Sequence, residues 1–227
     1  MRIAVLGGTF NPLHIGHLAL ADEVCTSLGY DRLLFVPAFR PPHKEMADSV
    51  SAEDRLEMVR LACEDDPRFV AESCEIDRGG VSYTYDTICS LEEKYAGQLE
   101  GKIGLVMGDD LIPGFHLWHR AEELSKKCDL ILALRPQEQS SGSGHENAHS
   151  GGYGSVPHST RDSSGELIFD VAGDPLFKNA LSVKNPELVL SSTEIRARIS
   201  EGRAFKYLVP SSVFGYIIKR RLYGSDK

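Results

Sequence analysis

The chain has 227 residues, 41% of them hydrophobic, and a formal net charge of −8 at pH 7. This length and composition predict one domain spanning residues 1–227. The acidic balance argues against a nucleic-acid partner, because such binding is dominated by phosphate charge, and it favours a small phosphorylated ligand held by local cations and backbone amides.

Short aliphatic runs alternate with segments of helical period along much of the chain. Strands are predicted at residues 3–6, 32–36, 103–107 and 130–134, and helices at residues 15–28, 52–63, 85–95 and 121–127. Such alternation is typical of the α/β class. We therefore expect a single doubly wound, Rossmann-like parallel sheet with helices on both faces.

A polar segment at residues 137–165 interrupts this pattern. It is rich in Ser, Gly and His and nearly devoid of large apolar residues. Such a segment cannot bury enough surface to offset the entropy lost on ordering, so we expect a flexible surface insertion. His145 and His149 are four positions apart, as metal ligands on a helix can be, but their glycine-rich surroundings favour a solvated loop and no metal site.

The last part of the chain predicts a small C-terminal helical part. Ser192 or Thr193 can cap a helix that runs to Glu201 and stops at Gly202. Pro210 can open a second helix. The apolar side of this second helix is expected to contain Val213, Ile217 and Leu222.

The five cysteines are scattered and include no C-x-x-C pair. This distribution supports neither a disulfide framework nor a zinc site, and it indicates a reducing compartment. No stretch approaches the roughly 18 apolar residues of a membrane helix, and no cleavable leader is evident. We therefore expect a cytoplasmic protein without a membrane partner.

The first predicted strand runs into the stretch GGTFNPLHIGH, residues 7–17. Gly7 and Gly8 allow backbone amides to approach an anion closely, and the start of the next helix adds partial positive charge. His14 and His17, three positions apart, lie on one helix face and can donate to phosphate oxygens. Taken alone, the two histidines could equally be polar residues at a helix start. The pattern matches neither a P-loop nor a dinucleotide fingerprint.

This stretch resembles the G-x-F-x-P-x-H-x-G-H signature of the nucleotidyltransferase superfamily. SSTEIR, residues 191–196, resembles the second superfamily signature, I-S-S-T-x-I/V-R, although alone it could be an ordinary capping box. The resemblance implies catalytic roles for His14 and His17. It implies that ATP and its phosphates are bound by Gly7, Gly8, Thr9, Phe10, His14, His17, Ser192, Thr193 and Arg196. Class I aminoacyl-tRNA synthetases are distant relatives, but the K-M-S-K-S loop typical of them is absent from this chain.

Three further stretches, VPAFRPPHK, RGGVSYTYDTI and MGDDLIPGFHLWHRAEEL, resemble elements of bacterial nicotinate-nucleotide adenylyltransferases. An indole face such as that of Trp118 can stack on a pyridine ring, and Asp110 can accept hydrogen bonds from ribose hydroxyls. Taken singly, Trp118 could be a core anchor, Asp110 a helix cap, and Tyr83 with Thr84 a sheet-edge pair. The resemblance implies that nicotinate mononucleotide is bound by His43, Lys44, Tyr83, Thr84, Gly108, Asp110, Trp118 and Arg135.

The implied reaction transfers the adenylyl group of ATP to nicotinate mononucleotide, with Mg²⁺ held mainly by ATP oxygens. Two alternatives stay open: a sibling enzyme that prefers nicotinamide mononucleotide, and a non-catalytic nucleotide-binding sensor on the same fold. Asp109 departs from the family pattern, which usually has Ala or Thr there. The sequence also leaves the oligomeric state open, including a homo-oligomer.

Overall fold

The computed structural model describes residues 1–42, 50–134, 160–161, 167–169, 171, 173–184 and 190–225. Its centre is a six-stranded sheet with the order β3-β2-β1-β4-β5-β8, and every neighbouring pair in it is parallel. A separate antiparallel pair joins β6 and β7. The strands are β1 (Ile3–Gly8), β2 (Arg32–Pro37), β3 (Phe69–Ala71), β4 (Gly104–Gly108), β5 (Asp129–Leu134), β6 (Thr160–Arg161), β7 (Leu167–Phe169) and β8 (Leu181–Lys184).

Helices cover both faces of the large sheet, as expected for a doubly wound fold. Helices α1, α2, α6 and α7 pack into one apolar core, and α4 and α5 pack into the other. Strand β1 shows why: Ala4 and Leu6 enter the first core, whereas Ile3 and Val5 enter the second. The helices are α1 (Ile15–Leu28), α2 (Ala52–Cys63), α3 (Cys74–Arg78), α4 (Thr84–Lys94), α5 (Ala121–Lys127), α6 (Ser192–Ser200) and α7 (Ser211–Arg220).

The strand order creates a crevice between β1 and β4. The chain leaves β1 toward β2 on one side of the sheet and leaves β4 toward β5 on the other. In open α/β sheets ligands collect at such a switch point, outside the carboxyl ends of the strands. The carboxyl ends here are Gly8 and Gly108, so the first motif of the sequence opens directly into the crevice.

Several boundaries differ from the sequence prediction. The helix after SSTEIR is capped by Ser191, whose hydroxyl accepts from the Glu194 N–H, so the prediction of Ser192 or Thr193 as the cap is wrong. Leu222 lies beyond α7 in a short 3₁₀ turn. Strand β6 falls inside the segment expected to be a flexible surface insertion, and that expectation stays a prediction. The other residues of that segment, 137–159 and 162–165, lie outside the described part of the chain.

No helix of the described residues combines the length and the apolar character needed to cross a membrane. All five cysteines lie within the described ranges and are free thiols.

Candidate active site

The loop from β1 to α1 is the first component of the site. Phe10 adopts a φ of 46°, which is rare for a bulky residue and is found mostly where surrounding structure enforces it. Its ring is buried and packs edge-on against Phe35 and His17, with ring centroids 5.7 and 5.1 Å away. The Phe10 side chain therefore shapes the loop from beneath, and only its backbone can contact a ligand.

His14 and His17 meet at the start of α1, as the three-residue spacing predicts. Their rings stack with centroids 3.7 Å apart. The backbone N–H of His14 donates to Nδ1 of His17 over 3.1 Å. Because Nδ1 accepts this bond, a neutral His17 carries its hydrogen on Nε2 and can donate from there. Nδ1 of His14 is buried and has no hydrogen-bond partner among the described residues.

Both histidines are held neutral by their surroundings. Burial lowers the pKa of His14 to about 4. Burial, together with the neighbouring His14, lowers the pKa of His17 to about 3. At pH 7 each ring therefore offers one N–H to a ligand and no positive charge. Such a pair can donate hydrogen bonds to phosphate oxygens in a partly water-excluded position.

The second motif lies directly against this loop. The Ser192 hydroxyl donates to the Pro12 carbonyl over 2.9 Å, across a sequence separation of 180 residues. The Arg196 guanidinium donates to the Asn11 carbonyl over 2.9 Å and to the Thr193 hydroxyl over 3.3 Å. The starts of α1 and α6 thus face the same loop, and Ser192 uses its hydroxyl to hold that loop.

A cavity of about 290 Å³ adjoins the loop. Tyr83, Thr84 and Trp118, predicted separately from the sequence, line it together with Gly8 and Thr9. Tyr83 is the N-cap residue of α4, so the first N–H groups of that helix, which have no intrahelical acceptor, lie at the cavity. The cavity is lined by Gly8, Thr9, Ala38, Pro41, Pro42, Ser82, Tyr83, Thr84, Leu111, Trp118 and His119.

Ser82 joins two walls of this cavity. Its hydroxyl accepts from the N–H groups of Phe39 and Arg40, over 2.9 and 3.3 Å, and its own N–H donates to the Arg40 carbonyl over 2.9 Å. The loop after β2 is therefore tied to the start of α4. Ser82 was not among the predicted site residues, although it lies next to Tyr83 in a stretch that the resemblance covers.

The remaining predicted site residues are less central or are not described. Asp110 is exposed in a 3₁₀ turn just beyond β4. It does not cap that turn, since Gly108 is the N-cap residue. A Cβ at Gly108 would lie 2.6 Å from an Asp110 carboxylate oxygen, so glycine makes room for this side chain. The predicted residues His43, Lys44 and Arg135 lie outside the described residues.

Two residues that the sequence analysis missed hold the first loop in place. Arg55, on α2, is 1% exposed and donates to the Thr9 carbonyl over 2.8 Å and to the Phe39 carbonyl over 3.4 Å. The Tyr223 hydroxyl donates to the Asn11 side-chain oxygen over 2.6 Å. Neither residue belongs to a short motif, and both act on the loop from far along the sequence.

The described residues contain no group of three or more His, Cys, Asp or Glu placed to hold a metal ion.

Comparison with known proteins agrees with this geometry. A family model described as cytidylyltransferase-like matches residues 5–198. The chain is 43% identical over 225 residues to a Treponema pallidum protein named probable nicotinate-nucleotide adenylyltransferase, covering 99% of this chain and 100% of the relative. It is 34% identical over 223 residues to a protein of the same name from Borrelia garinii, covering 98% of this chain and 95% of the relative.

The fold is also found among solved structures. Nicotinic acid mononucleotide adenylyltransferase of Plasmodium falciparum, complexed with NaAD, matches with a TM-score of 0.69 at 18% sequence identity, over 98% of this chain and 97% of that chain. At this identity the likeness concerns the fold. Together with the full-length sequence matches, it places the chain in the cytidylyltransferase-like family, among the nicotinate-nucleotide adenylyltransferases.

Proposed function

We propose that the chain transfers the adenylyl group of ATP to nicotinate mononucleotide, a step of NAD biosynthesis. A 5′-phosphate oxygen of the mononucleotide attacks the α-phosphorus of ATP in line. The new bond joins that oxygen to the α-phosphorus, the bond from the α-phosphorus to the bridging oxygen breaks, and pyrophosphate leaves. The products are nicotinate adenine dinucleotide and pyrophosphate. No protein nucleophile is required, because positioning and charge stabilisation dominate such transfers.

One observation carries this proposal. Gly8 and Thr9 line the cavity, and the loop that they begin leads within a few residues to the stacked pair His14 and His17. A pyridine ring held against Trp118 therefore has its phosphate directed toward the histidines. The two substrates meet where the cavity joins the loop.

The roles we assign follow from this arrangement. His17 donates from Nε2 to an α-phosphate oxygen, and His14 assists at the same phosphates. The backbone N–H groups at the start of α6, with Thr193 and Arg196, bind the β- and γ-phosphates. Ser192 contributes its N–H, because its hydroxyl is used on Pro12.

At the mononucleotide we assign Trp118 to the pyridine ring, the start of α4 at Tyr83 and Thr84 to the carboxylate, and Asp110 to the ribose. By family resemblance, His43, Lys44 and Arg135 are assigned to phosphate. We further propose that Mg²⁺ would be held by ATP oxygens and water and would neutralise phosphate charge. We also propose that the protein is cytoplasmic, because its five free thiols fit a reducing compartment.

The test is pyrophosphate release from ATP and Mg²⁺, with nicotinate mononucleotide, nicotinamide mononucleotide or phosphopantetheine offered separately. We expect the highest kcat/KM with the first. Folded protein that binds ATP but releases pyrophosphate with none of the three would overturn the proposal in favour of a sensor.

Substitution of His17 tests the site itself. His17→Ala should lower kcat by about 100-fold, the scale of losing one charge-stabilising donor. Thr26→Ala, on the exposed end of the same helix, is the matched control and should leave kcat unchanged. An unaltered kcat in His17→Ala would remove His17 from the mechanism.

A further inference from the structure

The lining of the cavity carries little charge. Among its described residues, His119 is the only one whose side chain can become a cation. The other lining groups are glycine, aliphatic, proline, hydroxyl and aromatic side chains. Among the described lining residues, this one imidazole is therefore the group that can distinguish a pyridine carboxylate from a pyridine carboxamide through charge.

His119 stands where an anion is already favoured. Its ring lies 4.7 Å from the ring of Tyr83, centroid to centroid, at an angle of 38°. Tyr83 is the N-cap residue of α4, so the imidazole lies beside the partially positive end of that helix. Trp118, the adjacent residue, lines the same cavity. A pyridine ring against Trp118 brings its substituent within reach of both the helix start and the His119 ring.

The other charged groups described around the cavity are acidic, ion-paired or, in the case of Arg78, hydrogen-bonded to the Thr87 hydroxyl over 3.1 Å. Glu75 lines a deeper extension of the cavity and is buried, where its carboxylate accepts from the Thr87 hydroxyl over 2.6 Å. Asp86 lies in the first turn of α4. Arg120 forms an ion pair with Glu123, and its guanidinium lies 3.9 Å above the ring of Tyr85. With a neutral His119, the described lining therefore offers a carboxylate no cation.

We propose that His119 determines specificity between the two pyridine mononucleotides: its protonated imidazole pairs with the carboxylate of the acid and gains nothing from the uncharged amide. This proposal rests on the proposed function. Because only a protonated imidazole is a cation, the preference for the acid should be greater at lower pH. His14 and His17, buried and neutral, contribute nothing to this change.

The experiment measures kcat/KM for both mononucleotides at pH 6 and pH 8 and compares their ratio. The ratio cancels titrations common to both substrates, such as those of the phosphates. In the unmodified protein the acid-to-amide ratio should rise about threefold to fivefold from pH 8 to pH 6, the scale of one partly exposed ion pair. His119→Gln should hold the ratio at its pH 8 value, and His119→Lys should keep the higher ratio at both pH values.

A control and a second measurement separate the possible failures. His116→Gln, three residues upstream and paired with Asp174, should behave as the unmodified protein does. Fluorescence of Trp118, the only tryptophan, reports occupancy of the cavity without catalysis. A ratio that still rises at pH 6 in His119→Gln, by turnover and by fluorescence titration, overturns the role of His119. Absence of turnover with either substrate in the unmodified protein overturns the proposed function instead.

Discussion

At the scale of single residues, the neutral histidines have a measurable consequence for stability. The pKa of His14 is about 4 in the folded chain and about 6.5 when unfolded. Below pH 6.5 the unfolded state therefore binds a proton that the folded state does not. The free energy of unfolding decreases as the pH is lowered from 6.5 to about 4. By pH 5 the loss from His14 is about 2 kcal/mol, since each pH unit in this window contributes about 1.4 kcal/mol.

His14→Gln should therefore lose less stability than the unmodified chain when the pH is lowered from 7 to 5. Urea unfolding at the two pH values gives the free energies of unfolding, and their difference removes any effect of the substitution that does not depend on pH. Equal losses in both proteins would show that His14 is not buried in its neutral form.

Gly16 sets the position of the His14 ring. A Cβ at Gly16 would lie 3.1 Å from Nδ1 of His14, closer than such atoms comfortably approach. The structure shows that this glycine leaves room for the His14 ring. Gly16→Ala should move the ring and reduce kcat on the order of tenfold, because small displacements of catalytic groups have large effects.

Gly215, inside α7, is the matched control for Gly16, because nothing lies within 4 Å of an added Cβ there. Gly215→Ala should leave kcat unchanged and stabilise the chain by about 1 kcal/mol through helix propensity. Pyrophosphate-release rates give kcat for the two variants, and thermal unfolding gives their stability. Equal kcat values in both variants would contradict the argument from the His14 contact.

At the scale of elements, α2 organises two loops through one buried side chain. Among the described residues, no carboxylate pairs with Arg55 and no group forms a hydrogen bond with its Nε. Burying an unpaired charge is unfavourable. Arg55→Met removes that charge while freeing the Thr9 carbonyl, so the two effects on stability largely offset each other. The loop loses its support, however, and kcat/KM should fall on the order of tenfold.

The comparison variant for Arg55 is Arg60→Met on the same helix. Arg60 is an exposed residue paired with Glu57, and its replacement should change neither stability nor kcat/KM measurably. Arg55→Lys, which keeps the charge but has fewer donors, should fall between the unmodified chain and Arg55→Met. A loss of activity that merely follows a loss of stability across the three variants would make Arg55 a structural residue only.

Elements with a strong pattern were predictable from sequence, and short ones were not. The predicted bounds of α1, α2 and α5 agree with the structure, because apolar residues recur there at helical spacing and stop at clear signals. Strand β3 has three residues, too few to establish a period. Strand β8 follows the polar segment, where no neighbouring pattern frames it. Such elements owe their conformation to sheet partners that a local window does not contain.

The residues of the candidate site also include some that were predictable from the sequence and some that were not. The close approach of His14 and His17 could be predicted from the sequence, because their spacing corresponds to about one helix turn. Arg55 and Ser82 act on backbone carbonyls and amides brought near by the fold, and any sequence can supply those groups. The amino-acid sequence therefore does not identify the backbone groups that Arg55 and Ser82 contact. Only the tertiary structure reveals which loops they join.

At the scale of the whole molecule, both ends of the chain meet at Asn11. This residue is 6% exposed. Its carbonyl accepts from Arg196 and its side-chain oxygen from Tyr223, across separations of 185 and 212 residues. The loop that carries the first motif is therefore stabilised by hydrogen bonds from the C-terminal segment. Asn11 thus links the loop to the C-terminal segment, in addition to the bond from Ser192 to Pro12.

Tyr223→Phe isolates that coupling, since it removes one hydroxyl and leaves the buried Asn11 oxygen without its donor. The free energy of unfolding should fall by about 1–3 kcal/mol, and kcat/KM should fall with it even where the variant is fully folded. Tyr207→Phe removes a hydroxyl from a side chain that is 81% exposed and should change neither quantity. If Tyr223→Phe loses stability but keeps full activity at low temperature, the C-terminal segment supports the fold without setting the loop. A parallel loss of both means that the last turn of the chain is part of the machinery that aligns the substrates.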